Sequence, residues 1–263
     1  MPHHVHPYAH RLGILRDWKS RWFADSGNYQ KYLRSDVLLR EYLAKRLRGM
    51  HIADIEMERS DKEWKVVIKT ARPGMVIGRA GEGMTKLRRD VASRVARLKL
   101  TLPKNFKLEV EEVRNPESNA AIVGQMVAEG LEKRMPFKRV IKQTLDKVMA
   151  NRDVKGGMIA VSGRLGGADM ARHEKVRAGN IPLQTLRADV DFAREKAHLP
   201  YGVIGIQVWI YKGLVFAKDD KRAPKAATPA ASSTSARGAM RPGSGAPRSA
   251  APARTDTRSA PRA

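Results

Sequence analysis

Cysteine is absent from the 263 residues, which excludes disulfides, thiolate nucleophiles and Cys-ligated zinc and agrees with a reducing compartment. No apolar run reaches the roughly 18–20 residues that a membrane-spanning helix requires. The opening MPHHVHPYAHRLG also lacks the apolar stretch of a secretory signal, so a soluble, cytoplasmic protein is expected. Nucleotide-binding fingerprints are missing too. Ser162-Gly163-Arg164-Leu165-Gly166-Gly167 has no Gly-Lys-Ser/Thr ending, and Gly78, Gly81 and Gly83 are wrongly spaced for a dinucleotide fold. Aspartates and glutamates are scattered, with no paired-carboxylate or triad pattern. The sequence nominates no catalytic residue and no cofactor.

Acidic residues are themselves in short supply: 27 Asp and Glu face 51 Lys and Arg, a net charge of +24. Residues 218–263 hold ten of the bases and three of the acids, leaving 41 against 24, or +17, on residues 1–217. A body this basic attracts a polyanion, and nucleic acid is the one expected. From Lys218 onward Ala, Pro, Ser, Thr, Gly and Arg replace large apolar residues, and residues 218–263 are read as a disordered basic tail.

Residues 1–35 form an extension rich in His, Arg and aromatics, in which Trp18 and Trp22 are spaced to share a helical face. A helix is expected from Asp36, with Asp36 as its cap, Val37, Leu39, Leu43 and Leu47 on its apolar side and Gly49 as its stop. Alternation then predicts three strands. Ile55 and Met57 alternate with Glu56 and Glu58, Trp64, Val66 and Ile68 with Lys65 and Lys69, and Phe106, Leu108 and Val110 with Lys107, Glu109 and Glu111. Ser60-Asp61 supplies a turn between the first two. Between the second and third lie a short helix, a glycine loop and a long helix that buries Met84, Leu87, Val91, Val95 and Leu98, and Pro103 ends this section. Three strands under helices make a compact α+β unit over residues 36–114. Asn115-Pro116 marks a boundary. Residues 115–217 then predict helices over about 118–134 and 136–150, and strands over 157–163, 183–192 and 203–211. This is a second α/β domain, two helices packed on a mixed or antiparallel sheet.

The loop Gly78-Arg79-Ala80-Gly81 is the strongest candidate site. A helix N-terminus beside it offers free N–H groups and a favourable dipole to phosphate oxygens, and glycine at both ends admits a strand closely. Arg72, Lys86 and Arg89 flank the loop. Lys138, Arg139 and Lys142, in PFKRVIKQ, share an exposed side of the second domain's second helix. Arg164, in what reads as a tight strand-to-helix turn, is the last residue assigned to RNA. The plainer readings are a simple helix–helix turn for the loop and a solvated face for the helix. Trp18 and Trp22 fit either base stacking or packing. His3, His4, His6 and His10 suit metal, with Pro2-His3-His4 fitted to square-planar copper or nickel if Met1 is removed; flexible RNA contact is preferred, and no metal site is expected.

These segments together resemble one family. ARPGMVIGRAGEGMTKLRRDV resembles the Gly-loop of a type II KH domain. VSGRLGGADMAR, LRADVDFA and YGVIGIQVWIYKG resemble the C-terminal domain of the small-ribosomal-subunit protein three family. RLGILRDWKSRWFA and REYLAKRL fit the same pattern, so the likeness runs in order through most of residues 8–216. The resemblance implies an N-terminal type II KH domain and a C-terminal α/β domain in a structural constituent of the small-subunit head. It implies binding to small-subunit ribosomal RNA, with small-subunit proteins four, five, ten and fourteen as neighbours and no membrane. It further implies that Lys138, Arg139 and Lys142 line the channel through which mRNA enters and assist passive unwinding of structured mRNA. The KH loop either grips RNA or serves as scaffold. The sequence departs from the family at its opening MPHHVHP, at Ala80, where a basic residue is frequent, and at Lys138, where arginine is common. Two other functions stay open. One is an extraribosomal lyase or nuclease on damaged DNA, which needs a Schiff-base lysine; the other is a free KH-domain regulator of transcripts.

Overall fold

The protein is described from a computed structural model over residues 5–60, 63–97 and 105–216. His3, His4, Asp61, Leu98, Pro103 and the tail from Lys218 lie outside the described residues. After a short helix, Pro7–His10 (α1), the first lobe contains Ser20–Arg21 (β1), Ser26–Arg46 (α2), Ile52–Arg59 (β2) and Glu63–Thr70 (β3). Pro73–Ile77 (α3), Glu82–Arg97 (α4) and Asn105–Glu112 (β4) complete it. The second lobe contains Ala120–Glu132 (α5), Phe137–Ala150 (α6), Gly156–Gly163 (β5), Arg172–Gly179 (β6), Ala188–Leu199 (β7) and Gly202–Leu214 (β8).

The alternation of the first lobe sets its register. Met57 lies opposite Val66 and Ile55 opposite Ile68 in the antiparallel β2–β3 pair, so the apolar members share a face. β4 adds parallel to β3. Residues of α2, α3 and α4 close over that face, where Leu43, Trp64, Val66, Ile68 and Val91 are completely buried. The sheet has four strands rather than the three expected, because β1 pairs parallel with β2 at Ser20–Met57 and Arg21–Glu58. Two residues carry too short an alternation to be read from sequence.

The helix expected from Asp36 begins ten residues earlier, at Ser26, and Asp36 is not its cap. Asp36 faces inward, 2 % exposed, accepting hydrogen bonds from Trp22 Nε1 (2.7 Å) and Arg59 Nη2 (3.0 Å). Residues 17–19 are not helical, so Trp18 and Trp22 share no helical face. Trp18 is exposed while Trp22 packs beside Tyr29 and Tyr32.

In the second lobe the sheet order is β6-β5-β8-β7, and every pairing is antiparallel, not mixed. α5 starts where the Asn119 side chain accepts from the Ala121 and Ile122 N–H groups, an N-cap. α5 and α6 bury Val123, Val127, Ile141 and Leu145 against Ile159, Val161, Ile206 and Val208 on one face of the sheet. The strand expected over 183–192 runs from Ala188 to Leu199 instead. β6 has no counterpart among the expected strands.

The extension ties both sheets together. α1 rests on β7, His6 stacks edge-on against Phe192 with centroids 4.7 Å apart, and Arg11 is fully buried among carbonyls of residues 182–188. Arg16 bonds Asp189 at 2.7 Å before the chain crosses to enter the first sheet as β1. The lobes also touch directly. The Gln125 side-chain amide exchanges two 3.0 Å hydrogen bonds with the Ile52 backbone, and Arg48 reaches Glu132 at 2.6 Å.

Beside them His51 is 2 % exposed, at φ +51°, with Glu129 Oε2 3.4 Å from Nε2. Burial, with the Arg72 and Lys133 charges, lowers the imidazole pKa below its ordinary 6.5, opposed by Glu129. The unfolded chain therefore takes up the proton more readily. This part of the stability is complete above about pH 6.5 and is lost as pH falls through the lower folded value. Asparagine tolerates the left-handed backbone, so His51→Asn should reduce the fall in urea-melt stability between pH 7.5 and 5.5.

Candidate nucleic-acid interface

The glycine loop is built by two helices meeting nearly end to end. α3 ends at Gly78, φ +72°, and a single tight turn over Arg79–Gly81 leads into α4. Ala80 (φ +50°) and Gly81 (φ +79°) are both left-handed, a conformation that costs Ala80 about 1–2 kcal/mol. The residue that permits the approach is Gly83. A Cβ there would lie 2.5 Å from the Val76 carbonyl oxygen and 2.7 Å from that of Ile77. Sequence reading considers Gly83 only for a dinucleotide fingerprint and misses this packing role. Gly83→Ala is expected to push α4 off α3 and to weaken RNA binding more than global stability, as anisotropy titration beside a thermal melt would reveal.

Arg79 is the only cation within the four-residue loop, and Arg72, Lys86 and Arg89 stand exposed around it. Among the described residues, none of these four lies within ion-pair distance of a carboxylate; Arg88, by contrast, donates to the Phe106 carbonyl at 2.8 Å. Glu82, in the first turn of α4, is an opposing charge at the same end. Met75 and Ile77 are exposed on α3 beside the loop, 52 % and 38 %, offering apolar surface to unstacked bases. No polar motif marks them, although their isolation between Arg72 and Arg79 was available as a signal.

The second predicted group sits apart, on α6. Val140, Ile141, Leu145 and Val148 seat this helix, and two glycines let it settle closely. A Cβ at Gly130 would meet Val140 at 3.0 Å, and one at Gly157 would meet Leu145 at 3.0 Å. The opposite side presents Lys138, Arg139 and Lys142, all exposed, with Gln143, Asp146 and Lys147 continuing the same shallow surface. Among the described residues, the three predicted cations have no ion-pair partner; Asp146 is the local acid.

Arg164 belongs to neither group. Its guanidinium donates to the carbonyls of Ala168 (3.0 Å) and Tyr201 (3.2 Å) and to Asp169 (3.2 Å). It holds the turn after β5 to the β7–β8 connection. That turn joins strand to strand, not strand to helix, through a tight bend at Leu165–Gly167. Among the described residues, no three His, Asp or Glu side chains gather as a metal site, and no helix is long and apolar enough to cross a membrane.

The comparisons with known proteins cover both lobes. The family described as "KH domain" matches residues 38–118, and that described as "Ribosomal protein S3, C-terminal domain" matches residues 127–210. The chain is similar to small ribosomal subunit protein uS3 of Caldicellulosiruptor saccharolyticus, 44% identical over 221 residues, which is 84% of this chain and 96% of that one. The uS3 protein of Caldicellulosiruptor bescii is 46% identical over 209 residues, 80% of this chain and 91% of its own. That of Pseudomonas aeruginosa is 44% identical over 211 residues, 80% and 89%.

Proposed function

The chain belongs to the small ribosomal subunit protein uS3 family, and from that premise we propose that it serves as an RNA-binding structural constituent of the small subunit. The family is one of ribosomal components and not of enzymes, and in bacteria that subunit is cytoplasmic. The KH lobe meets small-subunit ribosomal RNA through Arg72, Arg79, Lys86 and Arg89 around Gly78–Gly81, with Ala80 forming the loop's tip. Arg164 supports its turn and spends its donors within the protein. Small-subunit proteins four, five, ten and fourteen are the neighbours proposed.

The cationic side of α6 supports the finer part of the reading. Lys138, Arg139 and Lys142 face solvent on a helix whose other side is fixed in the core, so the backbone that carries their charges is in place before RNA arrives. In the proposed role they line the channel through which mRNA enters and hold strands that the advancing ribosome has parted. Unwinding is passive, with no covalent step. Each phosphate contact with a single strand contributes about 0.7 to the log–log salt slope. Changing Lys138, Arg139 and Lys142 together to Ala is expected to slow translation through a stable hairpin severalfold while sparing an unstructured message. Equal slowing of both messages would remove the channel role.

A further inference from the structure

α5 and α6 cover only one face of the second sheet. Its other face carries charge of one sign. Alternation is fixed by the packing: Gly157 meets Leu145 on the helix side, and Gly124 of α5 meets Glu195 and Val208. The neighbours of those strand residues therefore point away from the helices. Gly205 lies against the Ser162 hydroxyl, which confirms the outward set.

The register places three rows across this outward face. Arg177, Met158, Trp209 and Phe192 form the first; Lys175, Ala160, Gln207 and Arg194 the second; His173, Ser162, Gly205 and Lys196 the third. Lys175, Arg177, Arg194 and Lys196 are exposed, and among the described residues none has an ion-pair partner. The carboxylates of these edge strands are directed elsewhere. Asp191 accepts from the Ala120 N–H at the start of α5, Glu195 packs on α5, Asp189 is paired with Arg16, and Glu174 alternates with Val176 on the core side.

The cations stand on β6 and β7, the two edges; between them β5 and β8 carry Met158 and Trp209 in the first row and small or neutral polar residues in the other two. Three strand spacings put the edges about 14 Å apart. The face is therefore a shallow trough with positive rims and a floor of Ala160, Ser162, Gly205 and Gln207. Trp209, partly exposed, lies at one end, tilted against Phe192 with ring centroids 5.1 Å apart.

We propose that this face is a second RNA platform, which takes a single strand with phosphates on the rims and a base against Trp209. This rests on the reading of the chain as a ribosomal RNA-binding protein and adds a site outside the glycine loop and α6. Charge of one sign favours a polyanion, and the stacking surface and narrow floor favour unpaired RNA over a duplex.

The test uses the whole protein, a 15-nucleotide unstructured RNA and the matching duplex, read by fluorescence anisotropy. Changing Lys175, Arg177, Arg194 and Lys196 together to Ala should weaken single-strand binding at least about tenfold near 0.1 M salt. It should flatten the salt slope by about 0.7 for each phosphate that no longer meets a cation. Duplex binding should change less. If circular dichroism shows that the fourfold variant misfolds, Lys175→Gln with Arg194→Gln should move the slope in the same direction. Thiouridine crosslinking in intact small subunits should mark peptides carrying Trp209 or Gln207. Unchanged single-strand affinity, or loss of binding only to an acidic polypeptide, would overturn the platform and leave the ribosomal reading intact. Failure of the unmodified protein to bind either RNA would instead remove the reading on which the platform rests.

Discussion

Asp36→Ala is expected to lower unfolding stability by about 3–5 kcal/mol, because it strands a cation in the first lobe. Asp36 and Arg59 have side chains 3 % and 8 % exposed and 3.0 Å apart. Arg59 also donates to the Ser35 hydroxyl and stacks over the rings of Trp64 and Tyr32, at 4.1 and 4.3 Å. Without the carboxylate its guanidinium keeps the aromatic faces but has no anion, and little of it reaches water. The pair is nonetheless no simple gain. Burial raises the Asp36 pKa above its ordinary 3.8, restrained by Arg59 and Trp22. A raised carboxyl binds a proton more readily folded than unfolded, so its ionisation lowers stability as pH rises through that window and is no source of acid unfolding. Asp36→Leu combined with Arg59→Met should consequently recover much of the single-variant loss, since both desolvation costs disappear together. Urea unfolding of the three proteins decides it: a loss below about 1 kcal/mol for Asp36→Ala would contradict the argument.

Arg11→Ala should be of similar size but local. The Arg11 side chain donates to the carbonyls of Ala188 (2.5 Å), Pro7 (2.9 Å), Leu183 (2.9 Å) and Thr185 (3.0 Å), all within the protein. Alanine leaves these acceptors without a donor and opens a cavity; each unsatisfied buried group costs about 1–3 kcal/mol. The extension should detach before either sheet unfolds. A docking loss of about 3 kcal/mol corresponds to roughly a hundredfold rise in the open population. Proteolysis within residues 12–19 should accelerate by that order while the main urea transition moves far less. Arg11→Lys should fall short of rescue, because a single ammonium lacks the planar fork that serves several carbonyls.

Both residues show where sequence reading stops. Strands with a buried face, such as Trp64-Val66-Ile68, announce themselves by alternation, and the seat of α6 is legible in Val140, Ile141, Leu145 and Val148. The glycine loop and its surrounding cations are equally legible from local order. Asp36 misleads because an acidic residue before an apolar run is a good cap, and its true partner, Arg59, is remote in sequence. β6 escapes because an edge strand reading Arg172–Gly179 presents mostly charge, leaving only Val176 and Ala178 as apolar members of the alternation. The outward cationic face escapes for a related reason: its rows are composed of four strands, and no single stretch of sequence contains one. Gly83 needs the α3 carbonyls opposite it to acquire meaning.

The seat of Arg11 has a consequence for the order of synthesis. Its acceptors at Pro182 to Ala188 are made 171 to 177 residues later. β1, which follows in the same segment, depends on β2 for its pairing, yet the anchor before it waits for the far end of the second lobe. Domains tend to fold as they emerge, and closure across so long a span is the costliest. Residues 7–21 are thus made before the carbonyls that anchor them, and a nascent copy exposes this segment to a protease in a way that a finished copy does not.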